Sequence, residues 1–507
     1  MTAPEAYTEL KKRIREISIL YSTAGVLHWD QEAYMPRKAD DHRAEQLAQI
    51  SRLGHEWFTA PQVGDLLSTI ESSELVKEPQ SEAAVNCREW RRLYDRETKL
   101  PTDFVEEFTR ITTKAMGVWA EARKKSEFKL FQPHLEKIIE LCRKKADLVG
   151  YETEIYDALM DEFEPGSRAA DVESAFKGLR TDLVELIAKI KDAPKKPDLG
   201  ILRKPYDIAK QRVFAQIIAG AIGYDFDSGR IDETVHPCCA DLGPNDTRVL
   251  TRYYYKDLAE GITGTTHEVG HALYEMSRQT KEHWGTPMGE TPSLAIHESQ
   301  SRTWENIIGR SREFWSYFFP QLQRIFYAEL NDVTVDDFYG AMNWVAPSYI
   351  RVEADEATYN LHVMLRFELE RAIIMGELKV ADIPGEWNKR FKNYLGIEVD
   401  NDTNGCLQDV HWAHGAFGYF PTYALGNLYA AQIWNRAQKD LPSVLDDFAQ
   451  GKFDRILTWL RDNIHTQGFR YYSNDLCKRV TGEPLSHKAL LDYLYGKYAG
   501  IYGISRG

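Results

Sequence analysis

Cysteine, long apolar runs and positive charge are all in short supply in this chain of 507 residues. Its six cysteines include no C-x-x-C pair, and Cys238 and Cys239 are adjacent, a poor arrangement for binding one metal ion together. We therefore expect reduced thiols and a cytoplasmic location. No stretch approaches about 18 consecutive apolar residues, so no membrane-spanning helix is predicted.

The balance of charge is acidic, with 63 Lys and Arg residues against 77 Asp and Glu residues and a formal net charge of −14. Nucleic acid or an anionic membrane would have to be met by a basic face, and none is obvious, so we expect neither partner. The N-terminal segment interleaves charged and apolar residues, which is not the pattern of a secretory signal. There is also no repeat of fixed period, which argues against a solenoid.

Most of the chain has the apolar spacing of α-helices. The same spacing follows Pro101 and also Pro133, a residue that suits a first helical turn. The best strand candidate is 247–255, which is β-branched and aromatic and could form one edge of a small sheet. The clearest helical run comes after Asp171, where the apolar residues are Val172, Phe176, Leu179, Leu183, Leu186, Ile187 and Ile190.

These patterns predict a mostly α fold with a minor small β-sheet. The segments 191–205 and 223–232 interrupt the helical pattern and look like connections inside one large unit, so residues 1–507 are expected to form a single domain. A helical domain of this size needs long helices packed in two layers or lobes. A groove between the lobes is the natural place for a site.

Residues 267–271 read H-E-V-G-H, the one element of the sequence that points to a particular chemistry. On a helix, which we expect to begin at 264–266, His267 and His271 lie one turn apart on one side. Both imidazoles can then reach one Zn²⁺ ion. Glu268 is rotated by about 100° from His267, so it can reach a metal-bound water without being a ligand itself.

A catalytic zinc ion normally has three protein ligands, so a third must be found. The helical extension that adds a third histidine needs Gly at 274 and His at 277, but the chain has Tyr274 and Ser277. Glu298 is the expected third ligand, because a turn and a second helix can bring it back past the first. Glu275 is the competitor, but ligands at i, i+4 and i+8 climb about 12 Å along the axis, too far for one ion.

Three more polar clusters could serve a buried site. Taken singly, each fits an ordinary salt bridge or a satisfied core polar group, with Arg248 paired to Asp246 and Arg351 to Asp355 in a structural role. The clusters are D-T-R at 246–248, I-R-V-E-A-D at 350–355 and G-C-L-Q-D-V-H-W at 405–412.

Taken together, the ordered motifs make the sequence resemble the thermostable (Taq-type) carboxypeptidases, a family of H-E-x-x-H metallocarboxypeptidases. The resemblance implies an almost entirely helical, gluzincin-like fold with two lobes around a deep groove, a homodimer and a cytoplasmic location. In two places the chain departs from the family pattern, with Cys238 at the Phe of H-P-F and Leu250 at the Thr of D-x-R-x-T. The motifs are W-D-Q-E at 29–32, M-P at 35–36, H-P at 236–237, D-x-R at 246–248, H-E-x-x-H at 267–271, H-E-S-Q at 297–300, I-R-x-x-A-D at 350–355, G-x-x-Q-D-x-H-W at 405–412 and F-P-T-Y at 420–423.

The predicted activity is therefore the release of single amino acids from the C terminus of peptides. One Zn²⁺ ion per chain, or Co²⁺ in its place, would be held by the ligands His267, His271 and Glu298. Glu268 would act as the general base on the attacking water. The partner is a peptide substrate with a free C terminus.

Two further tasks need residues of their own. The oxyanion of the tetrahedral intermediate needs a second donor, for which His411 and Tyr423 are the candidates. The terminal carboxylate suits the bidentate fork of an arginine, which puts Arg351 first and Arg248 second, with Gln408 as a further substrate-binding residue.

Two rival functions remain at this point. An oligopeptide endopeptidase or dipeptidase could use the same scaffold, because H-E-x-x-H chemistry cuts any amide that the groove admits. A peptide with an amidated C terminus separates these activities, since only a carboxypeptidase needs the free acid. A protein that only binds peptides has no need of a base, and the presence of Glu268 argues against it.

Overall fold

The structure is a computed structural model that describes residues 1–278 and 281–506, and most of them are helical, as predicted. The α-helices are, in chain order, α1 Ala3–Ala33, α2 Asp40–Phe58, α3 Pro61–Glu71, α4 Glu82–Thr98, α5 Thr102–Lys125, α6 Phe128–Val149, α7 Ile155–Met160, α8 Ala169–Asp192, α9 Ile208–Ile222, α10 Leu258–Arg278, α11 Leu294–Arg302, α12 Arg312–Ile325, α13 Tyr327–Leu330, α14 Val335–Met342, α15 Tyr359–Met375, α16 Ile383–Leu395, α17 Pro421–Asp440, α18 Val444–Ala449, α19 Asp454–Asn463, α20 Ser473–Thr481 and α21 Lys488–Tyr502. A π-helix lies at Thr303–Ile308, and short 3₁₀ turns lie at Arg37–Ala39, Glu74–Val76, Leu199–Arg203, Pro287–Gly289, Arg351–Glu353, Val380–Asp382 and His465–Arg470.

A small sheet of three strands accompanies the helices, in the order β1-β3-β2, with β1 parallel and β2 antiparallel to β3. The predicted strand over 247–255 is confirmed for its first half only. Its place at an edge of the sheet is wrong, because the preceding chain supplies a partner strand on each side of it. Val249 pairs with Ile231 in β1 and with Cys239 in β2. The strands are β1 Ile231–Glu233, β2 Cys238–Asp241 and β3 Thr247–Thr251.

Two of the predicted helices are confirmed where apolar spacing defined them. All seven apolar residues of the run after Asp171 are buried on α8, and α5 begins directly after Pro101. The expectation for Pro133 is wrong, because α6 begins at Phe128 and the proline lies inside it. Phe128 and Phe131 are buried in the core. Their burial offsets the backbone hydrogen bond that the proline removes.

The helix that carries the H-E-x-x-H motif begins at Leu258, earlier than the expected 264–266. The two threonines that suggested a helix start bond back into the helix instead. The hydroxyl of Thr265 donates to the carbonyl of Gly261 and that of Thr266 to Ile262, both at 2.7 Å. The motif therefore lies in the middle of α10, where the helix packs against α9, α11 and β3.

The buried apolar side chains form two clusters of very different size. The large one extends from Ala115 to Tyr502 and surrounds α10, α11 and α17. The small one belongs to the N-terminal helices α1, α3 and α4 and includes Leu10, Leu67 and Trp90. In the part of the chain that is described, no helix has both the length and the apolar character needed to cross a membrane.

The closest helix packing that matters for the site is that of α17 on α11. A Cβ atom added at Gly426 in α17 would lie 2.7 Å from Cγ of Glu298 and 2.8 Å from its Cβ. Gly496 in α21 is a contrasting case, because a Cβ added there would meet nothing within 4 Å. A larger residue at 426 would therefore clash with Glu298, whereas a larger residue at 496 would not meet a neighbouring atom.

We expect Gly426→Ala to destabilise the protein and Gly496→Ala to leave it unchanged or stabilise it. Alanine gains about 0.5–1 kcal/mol over glycine inside a helix, but overpacking costs about 1–3 kcal/mol, so the first variant should lose about 1–2 kcal/mol. Midpoints of urea unfolding for the two variants and the parent chain measure the difference. A midpoint for Gly426→Ala equal to that of Gly496→Ala would contradict the contact.

Candidate active site

Three predicted metal ligands converge where α10 meets α11. The Nε2 atoms of His267 and His271 are 3.2 Å apart. One carboxylate oxygen of Glu298, Oε2, lies 3.8 Å from the first and 3.6 Å from the second. Ligands at about 2.0–2.1 Å from a tetrahedral ion are separated by about 3.3 Å, so the three atoms fit one small divalent cation.

A glycine inside the motif lets the two helices approach this closely. A Cβ at Gly270 would lie 2.8 Å from Cα of Ser301 and 3.2 Å from its carbonyl oxygen. Ser301 follows Glu298 on α11, so any side chain at Gly270 would push the carboxylate away from the histidines. Backbone contact at Gly270 thus fixes the position of the motif relative to Glu298.

The two histidines differ in protonation, and that of His271 suits metal binding. Burial lowers the pKa of His271 to about 3, so its Nε2 lone pair is free at neutral pH. Burial also acts to lower the pKa of His267, but the carboxylates of Glu298 and Glu305 outweigh it and raise that pKa above its usual range. His271 is held from behind by the ring of His297, which stacks on it at a centroid distance of 4.3 Å.

Glu305 is a functional residue that sequence reasoning missed. Its Oε2 lies 2.9 Å from Nδ1 of His267, which fixes the ring with Nε2 directed at the other ligands. Arg302 bridges the two acids, with Nε 2.7 Å from Oε1 of Glu298 and Nη1 2.9 Å from Oε2 of Glu305. Positions 298, 302 and 305 follow the i, i+4, i+7 spacing of one helix face, which was the available signal.

The bridging arginine keeps both acids ionised. Burial acts to raise the pKa of Glu298, but Arg302 and the histidines hold it well below its usual range. Burial also acts to raise the pKa of Glu305, but Arg302 and His267 outweigh it and lower that pKa to about 2. Each carboxylate is therefore negative over the whole physiological pH range.

Glu268 has a different environment from the other two acids. Its side chain is buried with 7% exposure, and burial raises the pKa of its carboxyl to about 7. Among the residues that the structure describes, none donates a hydrogen bond to this carboxylate. It lines the same cavity as His267 and Glu298. A carboxyl group with a pKa near neutrality and no competing partner can accept and release a proton.

Glu275, the alternative ligand, is engaged elsewhere. Its Oε1 lies 2.6 Å from Nε2 of His297, and its other oxygen forms an ion pair with Arg278. The carboxylate therefore supports the histidine that stacks on His271 and does not join the three converging ligand atoms. This geometry favours Glu298 as the third ligand, in agreement with the distance argument from sequence.

A cavity of about 440 Å³ opens over the ligand atoms and holds several of the remaining candidates. Arg351 and Tyr423 line it, but Arg248, Gln408 and His411 do not. Burial holds the pKa of Tyr423 well above its usual range, so its hydroxyl remains a donor. The ring of His411 lies 6.4 Å behind that of Tyr423, and burial lowers its pKa to about 4.

Arg351 is buried and bound to Asp409, not to Asp355. Its Nε and Nη2 lie 3.1 and 3.0 Å from Oδ1 of Asp409, and its Nη1 donates to the hydroxyl of Tyr359 at 3.0 Å. Arg366, which is wholly buried, binds the other oxygen of Asp409 at 2.6 Å. Two arginines thus share one carboxylate, and this cluster carries a net positive charge beside the cavity.

The remaining two candidates make mainly structural contacts. Arg248 forms a bidentate pair with Asp246, at 2.7 and 2.8 Å, and stacks on the ring of Trp29 at 4.2 Å. The amide of Gln408 is used up by backbone groups, accepting from the N–H of Arg351 and donating to the carbonyls of Tyr349, Asn404 and Gly405.

Comparison with known proteins agrees with this geometry over almost the whole chain. Residues 9–498 match the family model described as carboxypeptidase Taq (M32) metallopeptidase. The chain is 44% identical over 512 residues to thermostable carboxypeptidase 1 of Thermus thermophilus, covering 99% of this chain and 100% of that protein. It is 38% identical to carboxypeptidase 1 of Bacillus subtilis, with 99% of each chain covered.

A solved structure shows the same fold. The crystal structure of an M32 carboxypeptidase from Deinococcus radiodurans R1 superposes with a TM-score of 0.95 at 35% identity, covering 99% of this chain and 100% of that one. The relatives are carboxypeptidases, so the endopeptidase and dipeptidase alternatives are not favoured. The chain belongs to the M32 family of metallocarboxypeptidases, hydrolases that cleave the C-terminal peptide bond of peptides.

Proposed function

We propose that this metallocarboxypeptidase uses one Zn²⁺ ion per chain, bound by His267, His271 and Glu298, with Co²⁺ as an active substitute. The observation that carries the proposal is that three possible ligand atoms lie close together beside one cavity. Glu268 and Arg351 line that same cavity. Two imidazole nitrogens and one carboxylate oxygen are the donor set of a catalytic zinc site. When bound, such an ion supplies Lewis acidity toward the scissile carbonyl and lowers the pKa of water.

Glu268 is the proposed general base and general acid. Its carboxylate takes a proton from the attacking water and then delivers that proton to the nitrogen of the leaving amino acid. Its burial, and the lack of a hydrogen-bond donor to it among the described residues, support this role, because the pKa of about 7 matches both directions of transfer at neutral pH. Glu305 holds His267 in the tautomer that leaves Nε2 free.

Tyr423 and His411 are the proposed donors to the oxyanion. Tyr423 lines the cavity, and its hydroxyl remains protonated because of burial. His411 lies behind it in the same aromatic cluster, does not itself line the cavity, and is uncharged at neutral pH. Tyr423 is therefore the first candidate of the two.

Arg351 is the proposed site for the terminal carboxylate of the substrate. Three of its five N–H groups bind Asp409 and Tyr359, which leaves two for an incoming anion. The second arginine on Asp409 keeps the cluster positive after that pairing. Arg248 is the second candidate, because its fork is filled by Asp246. Gln408 would then act on the substrate through the backbone of Arg351.

Three proposals about the chain as a whole follow from the sequence. We propose a single catalytic domain of residues 1–507 with two lobes around the groove, a homodimer, and a cytoplasmic location without nucleic acid or membrane partners. All six cysteines are free thiols, which supports the cytoplasmic location. Sedimentation of the purified protein tests the homodimer directly.

We expect Glu268→Gln to retain its metal ion and to lose activity by about 100- to 10,000-fold in kcat, the usual contribution of a general base. The amide keeps the size of the side chain and spares all three ligands. Metal content by atomic absorption and hydrolysis of a blocked dipeptide are measured on the same sample. Loss of the ion, or activity near that of the parent enzyme, would show that the role belongs to another residue.

We expect Glu298→Ala to lose its metal ion, because only two histidines remain. Glu305→Gln should keep a site that is weaker by about 10- to 100-fold, since the ligand His267 loses its orienting carboxylate but not its place. Titration with a competing chelator gives the two affinities. The proposal fails if Glu298→Ala binds metal as tightly as Glu305→Gln does.

We expect Arg351→Ala to lower kcat/KM for free-acid peptides by about 100-fold or more, and Arg351→Lys to lower it less, because lysine keeps the charge but not the fork. Arg248→Ala is the control and should have a smaller effect. A C-terminally amidated peptide should be an equally poor substrate for all of these enzymes. If Arg351→Ala is folded and metal-replete yet keeps the parent preference for the free acid, the role moves to Arg248.

A further inference from the structure

The segment 396–420, between α16 and α17, carries Gln408, Asp409 and His411 but forms no helix or strand. Its internal backbone hydrogen bonds are those of turns, so its position on the protein also depends on contacts with the elements around it. In its first half, Trp119 donates to the carbonyl of Leu407 and Asp402 accepts from the N–H of Phe128. In the second half, which leads from His411 to α17, backbone hydrogen bonds form turns over 410–417, and one buried side chain bonds to both ends of the stretch 412–418.

That side chain is Glu370 on α15, which is wholly buried. Its Oε1 accepts a hydrogen bond from Nε1 of Trp412 at 2.8 Å. Its Oε2 accepts two more, from the N–H of Gly418 at 3.0 Å and from the hydroxyl of Tyr156 at 2.8 Å. Two of the three donors thus belong to the segment 396–420, and they stand at the two ends of the turn 412–418. The third belongs to α7.

A carboxyl group in this place is costly for stability alone. None of its three hydrogen-bond donors is a cation, and burial raises the pKa of Glu370 to about 7. An apolar side chain would fill the same space without that cost if the turn were free to adopt another shape. The two oxygens instead fit three donors with fixed directions, which specifies one position for both ends of the turn.

The backbone of the turn is pressed against α7 in the same region. Gly418 has φ of +91°, and a Cβ there would lie 2.7 Å from the backbone of Met160. Arg366, one helical turn before Glu370 on α15, binds Asp409 just before the turn. One face of α15 therefore holds the segment on both sides of His411, by Arg366 before it and by Glu370 after it.

We propose that Glu370 is a positioning residue for peptide hydrolysis, which acts by holding Trp412 and Gly418 so that His411 and Tyr423 stand at the reacting carbonyl. The inference rests on the proposed roles of those two donors. Displacement of a catalytic group by about 1 Å can lower a rate by about 100-fold, so the positioning is expressed in turnover and not in substrate affinity.

The test compares three variants that each change one part of the cluster. Glu370→Gln places an amide N–H₂ opposite the N–H of Gly418 or the indole N–H of Trp412, so at least one end of the turn is released. Trp412→Phe removes the indole donor together with part of a buried ring, and the thermal midpoint reports the cost of that lost packing. Tyr156→Phe is the matched control, because it removes a donor from the same carboxylate but leaves both contacts with the turn. Metal content, thermal midpoint, kcat and KM are measured for each enzyme.

We expect kcat to fall by about 10-fold or more in Glu370→Gln and Trp412→Phe, with one metal ion per chain and KM within about two-fold of the parent. Tyr156→Phe should keep kcat within about two-fold even where its thermal midpoint falls as far as theirs. If Glu370→Gln does not fold, the kcat of Trp412→Phe is compared with that of Tyr156→Phe instead. A normal kcat in both segment variants, or an equal loss in the Tyr156→Phe control, overturns the proposal.

His411→Gln and Tyr423→Phe, made alone and combined with Glu370→Gln, separate this inference from the proposed function. If Glu370 acts through these donors, the double variants should lose little more kcat than His411→Gln or Tyr423→Phe does alone. A full additive loss overturns the positioning role and leaves the donors in place. If neither donor variant alone changes kcat, the proposed oxyanion donors and the positioning role both fail, while the metal and base assignments stand.

Discussion

The carboxylate of Glu298 lies at the contact of three helices, and its charge must be balanced without help from water. Arg302 on the next turn supplies that balance and extends it to Glu305, so that two acids and one arginine form a single ionised group beside two histidines. Buried charges are tolerated only when paired in this way. Together with Glu268 the group holds more carboxylates than arginines, and the surplus of negative charge favours a bound cation. The orientation of His267, the position of Glu298 as the proposed third ligand and the electrostatics of the cavity all depend on this one arrangement.

The same arrangement is possible only because two glycines allow the helices to touch. Gly270 admits the backbone of Ser301 on one side, and Gly426 admits the side chain of Glu298 on the other. A third element, α15, then fixes the segment that brings Asp409 beside Arg351. The site is thus built from contacts between distant parts of the chain, and its precision comes from helices that have little room to move relative to one another.

Sequence reasoning succeeded where the pattern was local. The spacing of His267, Glu268 and His271 on a helix, and the buried face of α8, follow from helical periodicity alone. The choice of Glu298 as a possible ligand rested on two simple facts. A catalytic zinc ion needs a third protein ligand, and the chain between His271 and Glu298 is long enough for a turn and a second helix. Helix ends were less predictable, because Thr265 and Thr266 bond back within α10 and Pro133 is tolerated inside α6. The partner of Arg351 and the three donors to Glu370 join residues far apart in the chain, and only tertiary packing decides them. The assigned roles of the three metal ligands, Glu268, the arginines, Gln408, His411 and Tyr423 stay predictions.

The small cluster of α1, α3 and α4 is a second buried apolar core, separate from the large one. Few buried apolar contacts support it, so its free energy of opening is smaller than that of the large cluster, and its amide hydrogens should exchange through a partial opening. Unfolding then departs from a two-state transition. The stack of Trp29 on Arg248 and the pairing of Arg92 with Asp161 are among the contacts that join these helices to the rest of the chain. The N-terminal helices can therefore open and close while α10, α11 and α17 remain assembled around the ligand atoms.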